Sequence, residues 1–506
     1  MQRQLLCLLS GVSEGSPLAG LLRDSAPTTT SIKAFEAMTA VPREGRSLLS
    51  GTLLQWWGGR SSPCEFPPGG DIVVDFFGGR RPSWHDGRFF HFVDETGYPI
   101  LAPYSYAWVS YSRMRLATLH LIEQAKPDGD WRLIGEAHHS AQLSWRMILD
   151  RIGKSAAVLL WHAITHPSHS TVAMAPLSGQ TRGWRSRGEG IAARISSAAG
   201  YVRHRLQRVV YTDRWSIGIT ETQIETILSG EVTEKVNWLK SESSLEAMAD
   251  PFPVPGLPQT FLCEIYSYAT DLGKIGIVEA VNGKIVSVRP VGLPSKTHLS
   301  YPFLFKENGA VYCIPENAQS CETAIYELRS PSMALVGSSI IQSGRPVVDP
   351  TLFKWHGKYW IAYTDLGIGR DDNLCLMSAS TLMGPWTPHP GNPVKIDIRS
   401  ARSAGPLFEV DGNLYRPAQD CSRTYGGAII INRIRQCDES NFSEEFVCKV
   451  KPRMDGPCRD GLHTLSAFDG GLIIDGKRTV INPVLIFLKL WHHTAKQAHL
   501  QLAESG

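Results

Sequence analysis

The sequence predicts a mainly β protein in which a smaller α/β domain precedes a five-bladed β-propeller, and three observations lead to this prediction. Similar segments recur through residues 213–480 with a period of about 50 residues. The best-kept repeats contain a hairpin pattern, in which apolar β-forming runs flank a Gly-containing turn. Residues 1–165 instead mix short β-like runs with helical patterns.

Residues 1–165 carry both strand and helix signals. DIVVDFF and GRFFHFV are typical of strands. SRMRLATLHLIEQA and SAQLSWRMILDRIGKSAAVLLWHAI have apolar residues at the three- and four-residue spacing of amphipathic helices. The opening MQRQLLCLLSGVSEGS fits a first buried β-strand, which we favour, or a weak signal peptide.

Residues 166–212 are polar, small and basic, as in HPSHSTVAMAPLSGQTRGWRSRGEG and RHRLQR. This composition predicts a linker that leads into a solvated helix, and a contact with anionic lipid or nucleic acid is the alternative. We therefore expect a domain boundary here, the propeller over 213–480 and a C-terminal tail over 481–506.

Length and composition fit a soluble globular protein. The 506 residues are too many for one ordinary core, so two or three domains are expected. A formal charge of +3 is nearly balanced for this size, which argues against a dedicated nucleic-acid-binding protein. TVINPVLIFLKLW is too short and too interrupted for a membrane span, so no transmembrane segment is expected. The oligomeric state is left open.

The cysteine pattern favours a reducing, cytoplasmic compartment. The ten cysteines include no Cys-x-x-Cys pair and no zinc-finger spacing. Several of them lie in apolar runs such as FLCEIY and VYCIPE, where buried free thiols are usual. No metal site and no organic cofactor are predicted.

Five segments carry the repeat: ADPFPVPG, SYPFLFKENGAVYCIPE, VDPTLFKWHGKYWIAYTD, AGPLFEVDGNLYRPAQD and LHTLSAFDGGLIIDG, marked by Asp250, Tyr301, Asp349, Gly405 and His463. The first four place Pro directly after the marked residue. In a propeller, equivalent residues lie around one central axis. A sandwich of unrelated hairpins is the alternative, but it gives no reason for the same dipeptide to return.

The repeat register groups acidic residues into two candidate rings. Asp250 and Asp349 precede the repeated Pro, so they would converge on an axial pocket as the carboxylate pair that glycoside chemistry uses. Asp-Pro is also a common turn dipeptide. Pro315 and Asn317 suggest that Glu316 is presented to a site. The second ring ends the β-runs, where it lines a site or caps strand ends: Glu264, Glu316, Asp365, Asp420 and Asp475.

Planar and charged side chains in the fourth repeat suit the recognition of sugar hydroxyls, carboxylates or phosphates. These are Arg402, Arg416, Gln419, Asp420 and Tyr425, of which one or two would instead hold the repeat together. The tryptophans of this region are expected to pack between blades rather than to bind sugars. They are Trp215, Trp355, Trp360 and Trp386.

Several motifs resemble the N-terminal propeller domain of the glucosamine inositolphosphorylceramide transferase family: ADPF, HLSYPFLF, VDPTLF, MGPWTPHPGNPV, GNLYRPAQDCSRTYG and RWSIGI. More distantly, they resemble the five-bladed furanosidase propellers of arabinanases and β-xylosidases. The resemblance covers about residues 213–480. In the plant transferases this propeller precedes a separate glycosyltransferase domain. We expect no room for that domain after residue 480 and do not carry the transferase activity over.

The furanosidase resemblance implies roles for single residues. Asp250 matches the general base, and Asp349 matches the aspartate that orients the acid and tunes its pKa. The acid glutamate of those enzymes precedes a Gly-Pro, where this chain has Ala404. The expected proton donor is therefore missing, and Glu316 is its candidate replacement. His463 matches a histidine beside a central ion in some arabinanases, although a core or hydrogen-bonding role is expected here.

Two functions follow from these residues. One is a carbohydrate-active enzyme that acts on a glycan or glycoconjugate, and the other is a glycan- or glycolipid-recognition module that has lost its acid residue. In both, the partner is a carbohydrate or glycolipid. The residues predicted to contact it are Glu264, His298, Arg402, Arg416, Gln419, Asp420, Tyr425 and His463.

DIVVDFFGG and GRFFHFVDETGYPI give the N-terminal region a faint resemblance to formyltransferase-type domains. That resemblance implies an Asn, a His and a distant Asp around a folate-borne formyl group, with His91 as the His. RFFHFVD supplies no Asn at the expected place, and no Gly-rich phosphate loop is found. A degenerate, non-catalytic domain is therefore expected.

Overall fold

The computed structural model divides the chain into two compact units, residues 1–198 and 199–506. The division falls inside the predicted linker, most of which lies outside the described residues. The structure describes 209–488 with gaps at 240–242, 282–283, 294–296 and 331. It also describes residue 491 and, earlier in the chain, 4–7, 31–34, 72–75, 88–95, 115–124, 130–140, 145–165, 172–173 and a few isolated positions.

The first unit contains strands and one long helix among its described residues. Two of the strands pair in parallel: β1 (Gln4–Cys7) and β2 (Ser31–Ala34). A second sheet has the order β3 (Ile72–Asp75), β4 (Arg88–Val93), β5 (Ala117–Gln124), β6 (Trp131–His139) and β7 (Val172–Ala173). The helix α1 (Trp145–Thr165) packs on β5 and β6. The strands predicted in DIVVDFF and GRFFHFV and the helix predicted in SAQLSWRMILDRIGKSAAVLLWHAI are confirmed.

The helix predicted in SRMRLATLHLIEQA is wrong, because its second half forms β5. Antiparallel partners flank this strand on both sides, β4 and β6. Leu119, Leu121 and Ile122 are all buried. The same apolar pattern fits one face of a helix and also a strand that is covered on both faces. Hydrogen bonding to neighbouring strands makes this segment a strand, and the spacing of apolar residues does not reveal such pairing.

The second unit begins with β8 (Tyr211–Thr220), a 3₁₀ turn (Ile224–Ser229) and β9 (Asn237–Trp238). The first sheet comprises β10 (Glu246–Pro253), β11 (Thr260–Ser267), β12 (Leu272–Val281) and β13 (Lys284–Pro290). The second comprises β14 (Ser300–Glu307), β15 (Ala310–Glu316), β16 (Glu322–Arg329) and β17 (Ala334–Ser343), with a 3₁₀ turn at Ala318–Ser320.

Three further sheets follow. The third contains β18 (Val347–Trp355), β19 (Lys358–Asp365) and β20 (Asn373–Ala379), with β21 (Thr387–Pro388) and β22 (Lys395–Asp397) paired to β20. The fourth contains β23 (Phe408–Val410), β24 (Asn413–Asp420), β25 (Ala428–Cys437) and β26 (Phe442–Val450). The fifth has the order β27 (Leu465–Phe468), β28 (Gly471–Ile481), β8 and β9.

The fifth sheet joins the two ends of the second unit. β28 pairs with β8 from Leu472 opposite Thr220 to Ile481 opposite Tyr211. The first strands of successive sheets also meet, since β10 packs against β14 and β27, and β14 packs against β18. The unit is therefore a propeller-like arrangement of small antiparallel sheets, as the repeats predicted.

The residue before the repeated Pro has a positive φ angle in each of the four repeats that contain this Pro. Asp250, Tyr301, Asp349 and Gly405 have φ angles of 51°, 43°, 49° and 117°. The ladder between first and second strands is interrupted at this point in the first three sheets. Pro has no N–H to give to a ladder, so a break of this kind accommodates it. The repeat register predicted from the dipeptide is confirmed in the backbone.

Apolar residues pack between these sheets. Trp360 is buried and stacks on Phe353, and Trp386 packs against a larger cluster, as predicted for the tryptophans. Trp215 differs because its ring stacks on His463. The cysteines of the second unit are free thiols, most of them buried. Across the described residues, helices of the length and apolarity that a bilayer span requires are absent.

Tyr301 connects three sheets through one buried hydroxyl. Its oxygen lies 2.9 Å from the Thr351 hydroxyl of the third sheet and accepts the Gly405 N–H at 2.8 Å. The variant Y301F leaves both partners without this contact, so we expect its free energy of unfolding to fall by about 1–3 kcal/mol in urea titrations. Y312F is the matched control, since Tyr312 lies on β15 of the same sheet and is only partly buried. Equal losses in both variants would contradict the proposed link.

Candidate functional site

Asp250 lies at the break in β10 and is tied to the second and fifth sheets. Its Oδ1 accepts the Thr464 hydroxyl at 2.7 Å, and its Oδ2 accepts the Tyr301 N–H at 3.3 Å. Its own N–H donates to Asp475 Oδ2 at 3.1 Å. Burial raises the pKa of Asp250 to about 6, because His463 only partly offsets burial and the Asp475 carboxylate adds to it. A group with this pKa can exchange a proton close to neutral pH.

Asp475 and His463 form the fifth-sheet side of the site. Asp475 Oδ1 accepts the N–H groups of His463 and Thr464 at 3.0 and 2.9 Å. His463 Nδ1 lies 2.5 Å from Asp475 Oδ2, and its Nε2 lies 3.6 Å from Asp250 Oδ1. Burial lowers the pKa of His463, but the carboxylates of Asp475 and Asp250 outweigh burial, so the net shift is upward. The raised pKa favours the protonated imidazole of His463 between the two acids.

Asp250, His463 and Asp475 also form a possible metal-ligand set. One nitrogen or oxygen from each lies within 4.8 Å of the others. Imidazole and carboxylate together suit several divalent cations. The Asp475 oxygens already accept three backbone N–H groups, so a cation here would share its ligands with the links between the first and fifth sheets. The sequence predicted no metal at this position.

Asp349 is held from two sides. Arg402 binds its carboxylate with two donors, Nε to Oδ2 at 2.5 Å and Nη2 to Oδ1 at 3.2 Å. Gln419 Nε2 donates to the same Oδ2 at 2.8 Å. Arg402 is itself fixed by Asp371 at 2.8 Å. A two-point guanidinium contact fixes the plane of a carboxylate, so Asp349 is suited to orient and to carry charge rather than to move.

Glu316 is the acidic neighbour of Asp349. Its Oε2 accepts the Asp349 N–H at 3.2 Å and lies 3.9 Å from Arg402 Nη2. Burial and the Asp349 carboxylate raise the pKa of Glu316 well above its usual range. The structure therefore brings together the three residues predicted to be catalytic, Asp250, Glu316 and Asp349, and favours a protonated Glu316.

Glu264 and His298 form a second acid and imidazole pair beside this group. His298 Nε2 lies 3.3 Å from Glu264 Oε1, and its Nδ1 accepts the Gly273 N–H at 2.9 Å. Burial, together with Asp250, raises the pKa of Glu264 well above its usual range. A Cβ at Gly273 would lie 2.2 Å from Glu264 Oε1, so the close packing of the pair depends on this glycine.

Tyr425 joins the two halves of the site. The Arg402 guanidinium lies 5.1 Å from the Tyr425 ring centre, and the exposed Arg370 lies 5.4 Å from it. The same ring meets His463 and Trp215 edge to face, at 5.4 and 6.1 Å between ring centres. Arginine over an aromatic face is a stabilising contact, and here it connects the Asp349 side with the His463 side.

Arg416 and Asp420 act within the fourth sheet, which was the structural alternative for them. Arg416 donates two hydrogen bonds to Glu444, at 2.8 and 2.6 Å, and two more to the carbonyls of Ala401 and Ser400. Asp420 pairs with Lys449 and accepts the Ser422 N–H at 2.9 Å.

In the predicted second ring, Glu316 and Asp475 each accept an N–H from the first strand of the next sheet, Asp349 and Asp250 respectively. Asp365 instead accepts the Gly367 N–H of its own turn at 2.8 Å and pairs with Arg345. The ring is therefore mixed, since some of its members link sheets and others cap a strand end.

Ala404 stands in the core rather than in the site. It is fully buried in a cluster with Tyr415 and Leu465, its N–H donates to the Pro417 carbonyl, and its own carbonyl accepts the Leu465 N–H. A Cβ on the adjacent Gly405 would come within 2.0 Å of the Leu465 carbonyl oxygen. The backbone here is packed against the fifth sheet, so the position that carries an acid in furanosidases has no comparable group.

Three participants were not predicted as site residues. Thr464 directly follows His463 in the fifth repeat, and a hydroxyl next to a site histidine was the available signal. Asp371 lies in the loop after the third repeat, where the repeat gives no register. Trp215 was expected to pack between blades, but its ring lies 3.9 Å from that of His463 in a stacked arrangement.

Comparison with known proteins supports the resemblance drawn from the motifs. Residues 215–456 match the family model described as glucosamine inositolphosphorylceramide transferase 1, N-terminal. The transferase of that name from Oryza sativa subsp. indica is 30% identical over 204 residues, which are 39% of this chain and 27% of the relative. The Arabidopsis thaliana protein is 29% identical over 258 residues, 46% of this chain and 33% of the relative. The chain thus spans about a third or less of these relatives.

Two solved structures overlap part of this chain. An exo-β-1,3-galactanase from Clostridium thermocellum shares 12% identity at a TM-score of 0.32, over 40% of this chain and 49% of that one. A xylan β-1,4-xylosidase from Bacillus halodurans shares 15% identity at a TM-score of 0.30, over 41% and 44%. These partial overlaps say nothing about the reaction of this chain.

The raised pKa of Asp250 predicts how stability depends on pH. The folded protein keeps a proton that an unfolded aspartate releases near pH 4, so this contribution is complete below about pH 4 and is lost as the pH rises through about 6. D250N cannot ionise. Relative to the wild type, its free energy of unfolding should therefore rise between pH 4 and 7 by up to about 3 kcal/mol, the equivalent of roughly two pKa units.

Urea unfolding at several pH values measures this difference. E409Q is the control, because Glu409 is exposed on β23. Its stability should follow that of the wild type at every pH. Parallel curves for D250N and wild type would show that Asp250 does not hold a proton in the folded state.

Proposed function

We propose that the second unit is a five-bladed β-propeller whose central site binds a glycan or glycoconjugate and acts on a glycosidic bond. The observation that supports this most is a buried network in two parts, Asp250 with His463 and Asp349 with Glu316 and Arg402. Tyr301 joins the two parts, because its N–H donates to Asp250 and its hydroxyl contacts Thr351, which donates to the Asp349 carbonyl. The match of residues 215–456 to a family of transferases named for glucosamine inositolphosphorylceramide supports a carbohydrate-related ligand.

The order of the sheets along the chain fits a propeller in which each of five sheets is one blade. Five sheets succeed one another along the described part of the second unit, and the last takes β8 from the beginning of that unit. Contacts of β10 with both β14 and β28 bring the first and last sheets together. Each blade would then present the residue at its first-strand break to the same axis.

The environments of the three acids support different roles. Asp349 is occupied by Arg402 and Gln419, so it orients its neighbours and balances charge. Asp250, with a pKa of about 6, is ionised above that pH and can take a proton as general base. Burial and the Asp349 carboxylate raise the pKa of Glu316, which favours the protonated form that a general acid needs in order to give a proton to a leaving oxygen. Acid and base roles divide in this way when environment separates two pKa values.

Recognition without turnover is the second candidate, and the core position of Ala404 favours it. Furanosidases carry their acid where this chain packs a methyl group against the fifth sheet. A site that keeps Arg402, Gln419 and Tyr425 still offers a guanidinium, an amide and an aromatic ring to sugar hydroxyls or an anionic group.

Turnover of a panel of aryl glycosides, together with binding to a glycan array, tests these functions. For an enzyme, D250N and E316Q should each lower kcat/KM by about 10²–10⁴-fold, because each removes one proton-transfer group. E409Q, which removes an exposed carboxylate, should leave kcat/KM unchanged. In a plot of kcat/KM against pH, the wild-type activity should fall on the acid side near pH 6, where Asp250 takes up a proton. This fall should disappear in D250N.

The outcomes separate the two functions. Glycan binding without turnover in the wild type, weakened in R402A but not in E409Q, would establish the recognition module and exclude the enzyme. An active wild type whose kcat/KM is unchanged in E316Q would remove Glu316 as the acid. Absence of both binding and turnover on carbohydrate ligands would contradict the proposal as a whole.

A further inference from the structure

A cluster of two histidines and a glutamate lies in the first unit, separate in sequence from the acids discussed above. His120 on β5 is paired directly with Glu136 on β6, and His138 follows two residues later on β6. Alternation along strands places all three on the same face of the sheet. Glu136 Oε2 lies 3.2 Å from His138 Nε2 and 3.8 Å from His120 Nε2, and one ligand atom from each residue lies within 4.8 Å of the others.

The His138 ring is held so that one nitrogen faces the cluster. Its Nδ1 lies 3.0 Å from the Thr118 hydroxyl, the residue directly opposite on β5. Thr118 is itself fixed by Tyr106, whose hydroxyl donates to the Thr118 carbonyl and accepts its N–H, both at 2.8 Å. A hydrogen bond on one imidazole nitrogen selects the tautomer and leaves the other nitrogen available to an ion.

The inward nitrogen of His138 lacks a hydrogen bond. Its Nε2 is buried, and within the described part of the chain it makes no hydrogen bond even to Glu136. A buried polar atom without a partner is unusual in a folded protein and calls for an explanation. Among the described residues, His120 Nδ1 is likewise buried without a hydrogen-bond partner, so neither imidazole ring has both of its nitrogens hydrogen-bonded.

We propose that His120, Glu136 and His138 bind a zinc ion. Zinc bonds of 2.0–2.2 Å in a tetrahedron place neighbouring ligand atoms roughly 3.3–3.6 Å apart, and the two separations from Glu136 bracket this range. Two imidazoles and one carboxylate are a common zinc ligand set.

Three protein ligands leave one coordination position open. Both histidines are largely buried, whereas the Glu136 side chain is about half exposed, at 49%. The open position would therefore lie on the Glu136 side, where water can reach the ion. A three-ligand site with bound water is the arrangement found in zinc sites that activate water, and a fully closed site would have four protein ligands.

Calorimetric titration of the 506-residue protein with ZnCl₂, after treatment with chelator, tests the site. H120N, H138N and E136Q each remove one ligand, and we expect the zinc affinity of each to fall by more than about 100-fold, since the loss of an outer-shell partner alone costs 10–100-fold. T118V should lose affinity within that smaller range. H356N is the matched control, because it removes an exposed histidine at a turn of the second unit.

Substitution with Co²⁺ provides a second measurement. A tetrahedral site of nitrogen and oxygen ligands gives visible absorption bands without the near-ultraviolet band of thiolate ligation, which distinguishes it from binding at a cysteine. Zinc affinity that is equal in H120N, E136Q and H356N, or a thiolate band, would overturn the proposal. Circular dichroism of each variant separates lost ligation from lost folding, and E136Q changes only a half-exposed side chain.

Discussion

The second unit depends on one hydrogen bond in each repeat, which the backbone N–H of the residue before the repeated proline donates. The break in the first strand turns this N–H away from its own ladder, and a side chain of another repeat accepts it. Asp250 donates to Asp475, Tyr301 donates to Asp250, and Asp349 donates to Glu316. Gly405 donates to the Tyr301 hydroxyl. Buried N–H groups must find partners, so the candidate site residues are also the links between sheets.

The electrostatics of the site follow from the fact that the same acids line the site and link the sheets. Asp250, Glu316 and Asp475 accept backbone N–H groups from neighbouring sheets, which requires burial, and burial raises the pKa of Asp250 and Glu316. Arg402 supplies positive charge, and the carboxylates of Asp475 and Asp250 raise the pKa of His463. An acid that links sheets is hard to replace without loosening them, so effects on function and on stability are coupled at these positions. Arg416 and Glu444 show the other solution, a buried ion pair that serves one sheet.

The dipeptide repeat was sufficient to predict the register of Asp250, Tyr301, Asp349 and Gly405, all four of which have a positive φ angle. It could not predict which acids link sheets, since Glu316 and Asp365 end equivalent strands and yet differ in their partners. Thr464 and Asp371 reach the site through contacts with residues that are distant in sequence, which the repeat does not reveal. His120 was assigned to a helix, so its pairing with Glu136 could not be seen before the strand was known.

The pairing of β28 with β8 has a consequence for how the chain folds. The partners are separated by the whole of the four intervening sheets, from Tyr211 to Ile481. Such a contact has very high sequence separation, and closure of a long loop must precede it. During synthesis β8 emerges long before β28 exists and exposes an unpaired edge meanwhile. The nascent chain is therefore vulnerable to strand exchange and aggregation until its last sheet is complete.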